Sequence, residues 1–509
     1  MKCRFLWSTR VLLALSRILV ILIVFSIFQS CSIFRTNPKK PGKQPSFSQE
    51  MILLGEMTKY RSCFDVYYYD ISVQVFPSEK SIKGYVQILS RATEDFDTLQ
   101  IDLHPNFEIL QLISGETGEH LNYSRQERAV FIENPQQKGS EFTLEIAYEG
   151  KPLKAKRPPW RGGFVWKKDK EKNPWIAVAC ESDGASIWWP LKDHTADEPD
   201  SMRMHYTVPS DLIAVGNGQL KGTETVGDST TYDWFVSYPI NTYNATIYVG
   251  NFVKITDQYE GINGKLLDLT YYVLPNHVDT AKKHFQQVDT ILRVFEKKFG
   301  EYPWYQDGFK LVESPFAGME HQSAIAYGSG YENAPNFPID WLLVHETAHE
   351  WWGNAVTAED LADVWLQEGF ATYAEILYME EIYGYGTSID ELDYREIFIK
   401  NKYPVVGIKG RRWFHFRKNS DVYNKGAWIL QTLRETIDND ELFFDIISAF
   451  YKENKYHTVT SEDFIELVNR KTRKDYNWFF DQYLHNNSIP VLQVHWEYGE
   501  PATFVRTRS

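Results

Sequence analysis

From Cys63 onward apolar and polar residues alternate with a period of two. Tyr69, Ile71, Val73 and Val75 are interleaved with Asp70, Ser72 and Gln74, the pattern of a half-buried strand. The alternation returns at Leu99, Ile101 and Leu103 and at Phe142, Leu144, Ile146 and Tyr148, and residues 213–215 and 245–249 read as later strands between turn clusters such as Gly216-Asn217-Gly218. Residues 49–255 are therefore predicted to form a β-domain, read as antiparallel. After about Asp257 the period lengthens: Ala281, Phe285, Val288, Leu292, Phe295 and Phe299 recur at helical spacing and stop at Gly300, with Pro303 beyond, which predicts one helix. A strand over 309–313, a helix over 363–383 stopped by Gly384 and Gly386, another from Asp421, and a helical stretch over 440–485 with Thr460 as a cap fill out a second domain over 256–485. Residues 489–494 return to a strand pattern, so 486–509 reads as the start of a β segment, cut short.

The ends carry a different composition. Lys2, Arg4, Arg10 and Arg17 precede an apolar run over 18–28, followed by Gln29-Ser30-Cys31. That run is short for a bilayer span and has a cationic flank, so 1–31 reads as an export signal, with Cys31 as a lipoprotein-type attachment site and an uncleaved membrane anchor as the rival. Residues 32–48, with Pro38, Pro41, Gly42 and Pro45 among lysines, have the composition of a tether. Both readings place the remaining chain outside the cytoplasm, in the cell envelope. The formal charge of −14 argues against nucleic acid as a partner, and 43% hydrophobic residues allow two sizeable cores. Outside the signal only Cys63 and Cys180 remain, with no spacing pattern, and they are read as free thiols.

The chemistry concentrates in one stretch. His345 and His349 are four residues apart, one above the other on a helical face, where both imidazoles reach a single cation. Glu346 lies on the rim of that face, placed to hold water rather than metal. Glu368 follows with eighteen residues between it and His349, early in the next predicted helix. Two histidines and one carboxylate leave a fourth zinc position open, which marks catalytic rather than structural zinc. His345-Glu346-X-X-His349 alone also suits a buried helix whose histidines pair with carboxylates.

His-Glu-X-X-His, eighteen residues, then Glu368 followed by Gly369-Phe370-Ala371 resembles the zinc aminopeptidases of the aminopeptidase N and leukotriene-A hydrolase family, of the gluzincin class. The likeness runs from about Cys63 to about Leu484. It implies a multidomain α+β chain: an N-terminal antiparallel β-domain followed by a thermolysin-like, mostly helical catalytic domain. It also implies one zinc per chain, held by His345, His349 and Glu368, with Glu346 as general base. Ala317-Gly318-Met319-Glu320-His321 matches the family's Gly-X-Met-Glu-Asn segment at Met319 and Glu320 and departs from it at Ala317 and His321. Within that segment Glu320 is expected to hold the substrate's α-ammonium, and His321 is motif variation rather than a ligand. By the same resemblance Glu181 reaches from the β-domain to assist Glu320, and Tyr423, in Tyr-X-Lys-Gly-Ala, donates to the forming oxyanion. The implied substrate is a peptide with a free N-terminus. An endopeptidase and a non-catalytic peptide-binding lipoprotein are the alternative functions.

Overall fold

A computed structural model describes residues 46–412 and 419–490 and the strands Gln493–Tyr498 and Thr503–Arg508. The export signal and nearly all of the tether lie outside the described residues. No helix among the described residues is long and apolar enough to cross a membrane. Residues from Ser48 onward form a compact unit.

The β-rich half is built on a seven-stranded sheet in which Phe64–Phe76 lies between Ser81–Ala92 and Ser201–Pro209. The predicted alternation is followed literally, with Tyr69, Ile71, Val73 and Val75 all buried. One pairing departs from the expected antiparallel pattern: Phe64–Phe76 runs parallel to Ser201–Pro209, in the register Tyr69 opposite Met202. Such a connection needs a long crossover, and the intervening chain supplies it as further strands. A four-stranded sheet carries Gly163–Lys168 beside Pro174–Ala179, and a three-stranded sheet completes the half. Cys63 and Cys180 are buried free thiols.

The second half contains a five-stranded sheet ordered Val253–Glu260, Leu266–Val273, Phe309–Glu313, Ile325–Tyr327, Gly318–Met319. The boundary drawn at 255/256 therefore falls inside a strand, Val253–Glu260, which pairs with Leu266–Val273 of the catalytic sheet. Successive side chains of this sheet point to opposite faces. Leu269, Tyr271, Leu311, Ile325 and Tyr327 join the core of the helical half. Their neighbours Tyr272, Val312, Met319 and Ala326 join the core of the β-domain. Both cores thus share one sheet, which fixes the β-domain against the helices that carry the motif.

Two helix readings need correction. The single helix expected over 281–299 is two, Val278–His284 and Gln287–Lys298, parted at Phe285 and Gln286. The apolar residues on both sides keep the same face, so the periodicity runs through the break. Gly384 does cap its helix with φ 87°, but Gly386 lies inside the next one, Tyr385–Arg395. Thr460 caps Ser461–Thr472 in a reciprocal box with Asp463.

Candidate active site

Three helices and one sheet edge converge on the motif. The histidine helix, Trp341–Ala348, begins at Asp340, whose Oδ1 accepts from the Leu342 and Leu343 amides while its Oδ2 accepts from the hydroxyls of Tyr327 at 2.6 Å and Ser329 at 2.8 Å. Such a cap is worth about 1 kcal/mol and fixes where the helix starts. The helix ends early, so His349 is its C-cap residue and still stands one turn after His345. The glutamate helix, Trp365–Tyr383, supplies Glu368, and the tyrosine helix, Asp421–Ile437, supplies Tyr423. These two helices cross at Gly369 and Gly426, where a Cβ on Gly369 would lie 3.0 Å from the Gly426 Cα. Only glycine permits that approach, and it lets the Tyr423 hydroxyl reach Glu368 Oε1 at 2.7 Å.

The ligand atoms of His345, His349 and Glu368 lie within 4.8 Å of one another. His345 Nδ1 is bonded to Glu375 Oε1 at 2.8 Å and His349 Nδ1 to the Trp352 carbonyl at 2.8 Å. Both Nδ1 atoms are thereby occupied and both Nε2 atoms face Glu368 Oε2, each at 3.4 Å. That carboxylate oxygen is buried without a hydrogen-bond partner among the described residues. Burial would raise the Glu368 carboxyl, but the two histidines bring it down to about 2. Three converging donors of nitrogen and carboxylate type, each oriented by an outer contact, fit a zinc ion.

Glu375 was not singled out from sequence. It stands seven residues after Glu368, two turns along the same helix face, and that spacing is the signal that could have found it. Its other oxygen takes a 2.8 Å ion pair from Arg395. Glu375→Gln keeps the shape but weakens the orienting bond to His345. Zinc affinity is expected to fall about 10- to 100-fold, read by competition with a chelator. Unchanged affinity would remove Glu375 from the site.

Glu346 is buried beside the ligands, and a Cβ on Gly318 would lie 2.6 Å from its Oε1 and 2.6 Å from Leu342 Cδ1. Glycine at 318 is therefore what lets the sheet edge close over Glu346. Burial pushes the Glu346 carboxyl up to about 8, against the opposing pull of His345 and His349. Gly318 and Met319 form the outermost strand of the five-stranded sheet, Met319 is buried, and Ala317 is exposed at the strand's start. Glu320 follows directly, its ligand atom within 4.8 Å of those of Glu346 and His349. His321 turns away: it is fully buried, bonded through Nδ1 to the Tyr248 hydroxyl at 2.6 Å, and in neither candidate metal group among the described residues.

Glu181 is brought in by the strand Pro174–Ala179, and its Oε1 is buried with no partner among the described residues. Burial, then the charge of Glu320, raises its carboxyl well above the ordinary range. Burial likewise raises Glu320. Tyr243, also missed among thirty-one tyrosines, donates to Glu320 Oε1 at 3.2 Å and accepts from Gln367 Nε2 at 3.0 Å. Asn354 Nδ2 holds the Glu320 carbonyl at 2.8 Å. Glu181, Glu320, Glu346, Glu368 and Glu375 are all at most 7% exposed. Burying that many carboxylates is costly without cations, so the cluster is built to receive positive charge.

Residues 66–243 match the peptidase M1 N-terminal domain and residues 284–483 match the peptidase family M1 domain. A leucyl aminopeptidase of Saccharolobus solfataricus is 21% identical over 439 residues, which are 81% of this chain and 52% of that protein. Human endoplasmic reticulum aminopeptidase 1 is 24% identical over 69% of this chain and 39% of its own length. The chain spans about half the length, or less, of these curated relatives. An M1 zinc metallopeptidase of Deinococcus radiodurans, crystallised with the substrate Tyr-Ser-Ala, has the same fold with TM-score 0.71 at 20% identity, over 85% of this chain and 96% of that one. Yeast LTA4 hydrolase aligns with TM-score 0.71 at 19% identity over 89% of this chain and 71% of its own. The cofactor is zinc, which the donor set of His345, His349 and Glu368 fits. With both domain models matched in order, and the histidine and glutamate helices inside the second, the chain belongs to peptidase family M1.

Proposed function

We propose that this chain is a zinc aminopeptidase that removes residues singly from the free N-terminus of peptides. The observation that carries the reading is the pair Glu181 and Glu320, two buried carboxylates beside the metal ligands, one with an oxygen that has no hydrogen-bond partner among the described residues. A carboxylate pair at a set place from the reacting bond binds an α-ammonium and measures off one residue. The names of the matched aminopeptidases support the same reading.

His345, His349 and Glu368 hold zinc, which when bound supplies Lewis acidity and makes water nucleophilic near neutral pH. Glu346 accepts a proton from the attacking water and returns it to the leaving amine. Tyr423, bonded to Glu368 in the free protein, turns its hydroxyl to the scissile carbonyl oxygen as negative charge develops there. Gly318 and Met319, at the open edge of the sheet, offer backbone groups to an extended substrate. The lysine- and arginine-flanked apolar run and Cys31 support export to the cell envelope and a lipid tether.

The products decide the reading. A free decapeptide is expected to give a ladder of chains shortened one residue at a time from the N-terminus. Internal fragments as first products would replace the aminopeptidase with an endopeptidase.

A further inference from the structure

The hairpin that delivers Glu181 has a charge opposite to the site it serves. Between Lys151 and Lys172 the chain carries nine cations, Lys151, Lys154, Lys156, Arg157, Arg161, Lys167, Lys168, Lys170 and Lys172, against two carboxylates, Asp169 and Glu171, in a protein whose formal charge is −14. All nine are exposed, and among the described residues none is ion-paired. Such a concentration of like charge repels itself and attracts anionic partners. In the turn just before the hairpin, Arg157 and Arg161 bond each other's backbone, and Arg157 lies over the ring of Trp160, which is 41% exposed.

Both parts of this basic strip are tied to the candidate site. At the preceding turn the Ser182 hydroxyl donates to the Trp160 carbonyl at 3.1 Å and the Gly162 amide donates to Asp183 Oδ2 at 2.7 Å, next to Glu181. Further along, Lys167 Nζ donates to the Pro315 carbonyl at 2.6 Å and Trp175 Nε1 to the Glu313 carbonyl at 3.0 Å, at the start of the segment that leads to Gly318, Met319 and Glu320. A groove of about 550 Å³, lined among others by Lys80, Trp166, Lys167, Lys168 and Leu212, runs beside it.

We propose that this strip binds the distal part of the substrate and selects peptides with acidic side chains several residues beyond the scissile bond. The inference rests on the aminopeptidase reading. Buried carboxylates take the positive N-terminus while exposed cations on the adjoining hairpin take negative charge further along, so a peptide is held at both ends by opposite fields. An anionic membrane surface would also attract lysines beside a tryptophan. The bonds from the strip to the two segments bearing Glu181 and Glu320 favour the peptide, because a membrane patch needs no connection to the site.

The test compares two free peptides with the same first three residues, one followed by aspartates and glutamates and the other by serines and glycines, with an amino-acid anilide as a tail-free control. For the zinc-loaded protein at low salt, kcat/KM is expected to be about tenfold higher for the acidic tail, and the advantage to shrink as salt is raised. In the combined variant Lys154→Gln, Lys156→Gln, Lys168→Gln, Lys170→Gln the two peptides are expected to become equal within about twofold, with anilide turnover unchanged. Equal rates for both tails in the unaltered protein, or an acidic advantage that survives in the variant, would overturn the proposal while leaving the aminopeptidase standing. Sedimentation with anionic but not neutral vesicles, lost in the variant and accompanied by no tail preference, would overturn it in favour of a membrane surface. No turnover of the anilide or of either peptide would overturn the aminopeptidase reading and this proposal with it.

Discussion

His349→Ala is expected to abolish measurable peptide hydrolysis and to lower zinc from one per chain to a small fraction. Three protein donors are usual for a catalytic zinc site, and the substitution leaves two of these, His345 and Glu368, on different helices. The fold should survive, because His349 lies at the helix end, where its side-chain bond is to the Trp352 carbonyl, and the β-domain has its own core. Unchanged circular dichroism with lost zinc is the expected pair of results. Zinc near one per chain in the purified variant would show that the metal sits elsewhere.

Glu346→Gln should separate proton transfer from metal binding. The side chain keeps its size and fits the same space under Gly318, yet an amide cannot accept the proton that the attacking water must lose. General-base work contributes about 100- to 10,000-fold, so kcat is expected to fall by at least about 100-fold with zinc content unchanged. Normal turnover with full zinc would assign the proton to another group, such as Glu320, which shares a cluster with Glu346 and His349.

The metal cluster was legible because helical spacing is local: four residues put His345 over His349 whatever surrounds them. Glu368 was legible for the same reason, as the early turn of a recognisable helix. Glu375 and Tyr243 were not. Glu375 acts only through its bond to His345, and Tyr243 is one tyrosine among many whose packing role and bonding role look alike in a sequence. The strand Phe64–Phe76 was visible in its alternation, but its parallel partner Ser201–Pro209 was not, since alternation identifies a buried face and says nothing of which strand lies beside it. Gly318–Met319 and Ile325–Tyr327 are too short to show any period, so the sheet that joins the two cores went largely unread. The glycines at 369 and 426 stand in sequence motifs. Their reason, the close crossing of two helices, exists only in the fold.

That Glu181 and Glu320 hold a free α-ammonium is tested most directly by the rate of cleavage of one peptide with its N-terminus free and acetylated, using the zinc-loaded protein and its Glu320→Ala variant. Acetylation removes the charge and leaves two buried carboxylates without their partner, an interaction of about 2 to 5 kcal/mol, or roughly 30- to several-thousand-fold in kcat/KM. The expected results are cleavage of the free peptide, none above background for the acetylated one, and a variant that loses most of this discrimination while retaining zinc. Cleavage of the acetylated peptide at a rate comparable to the free one would contradict it.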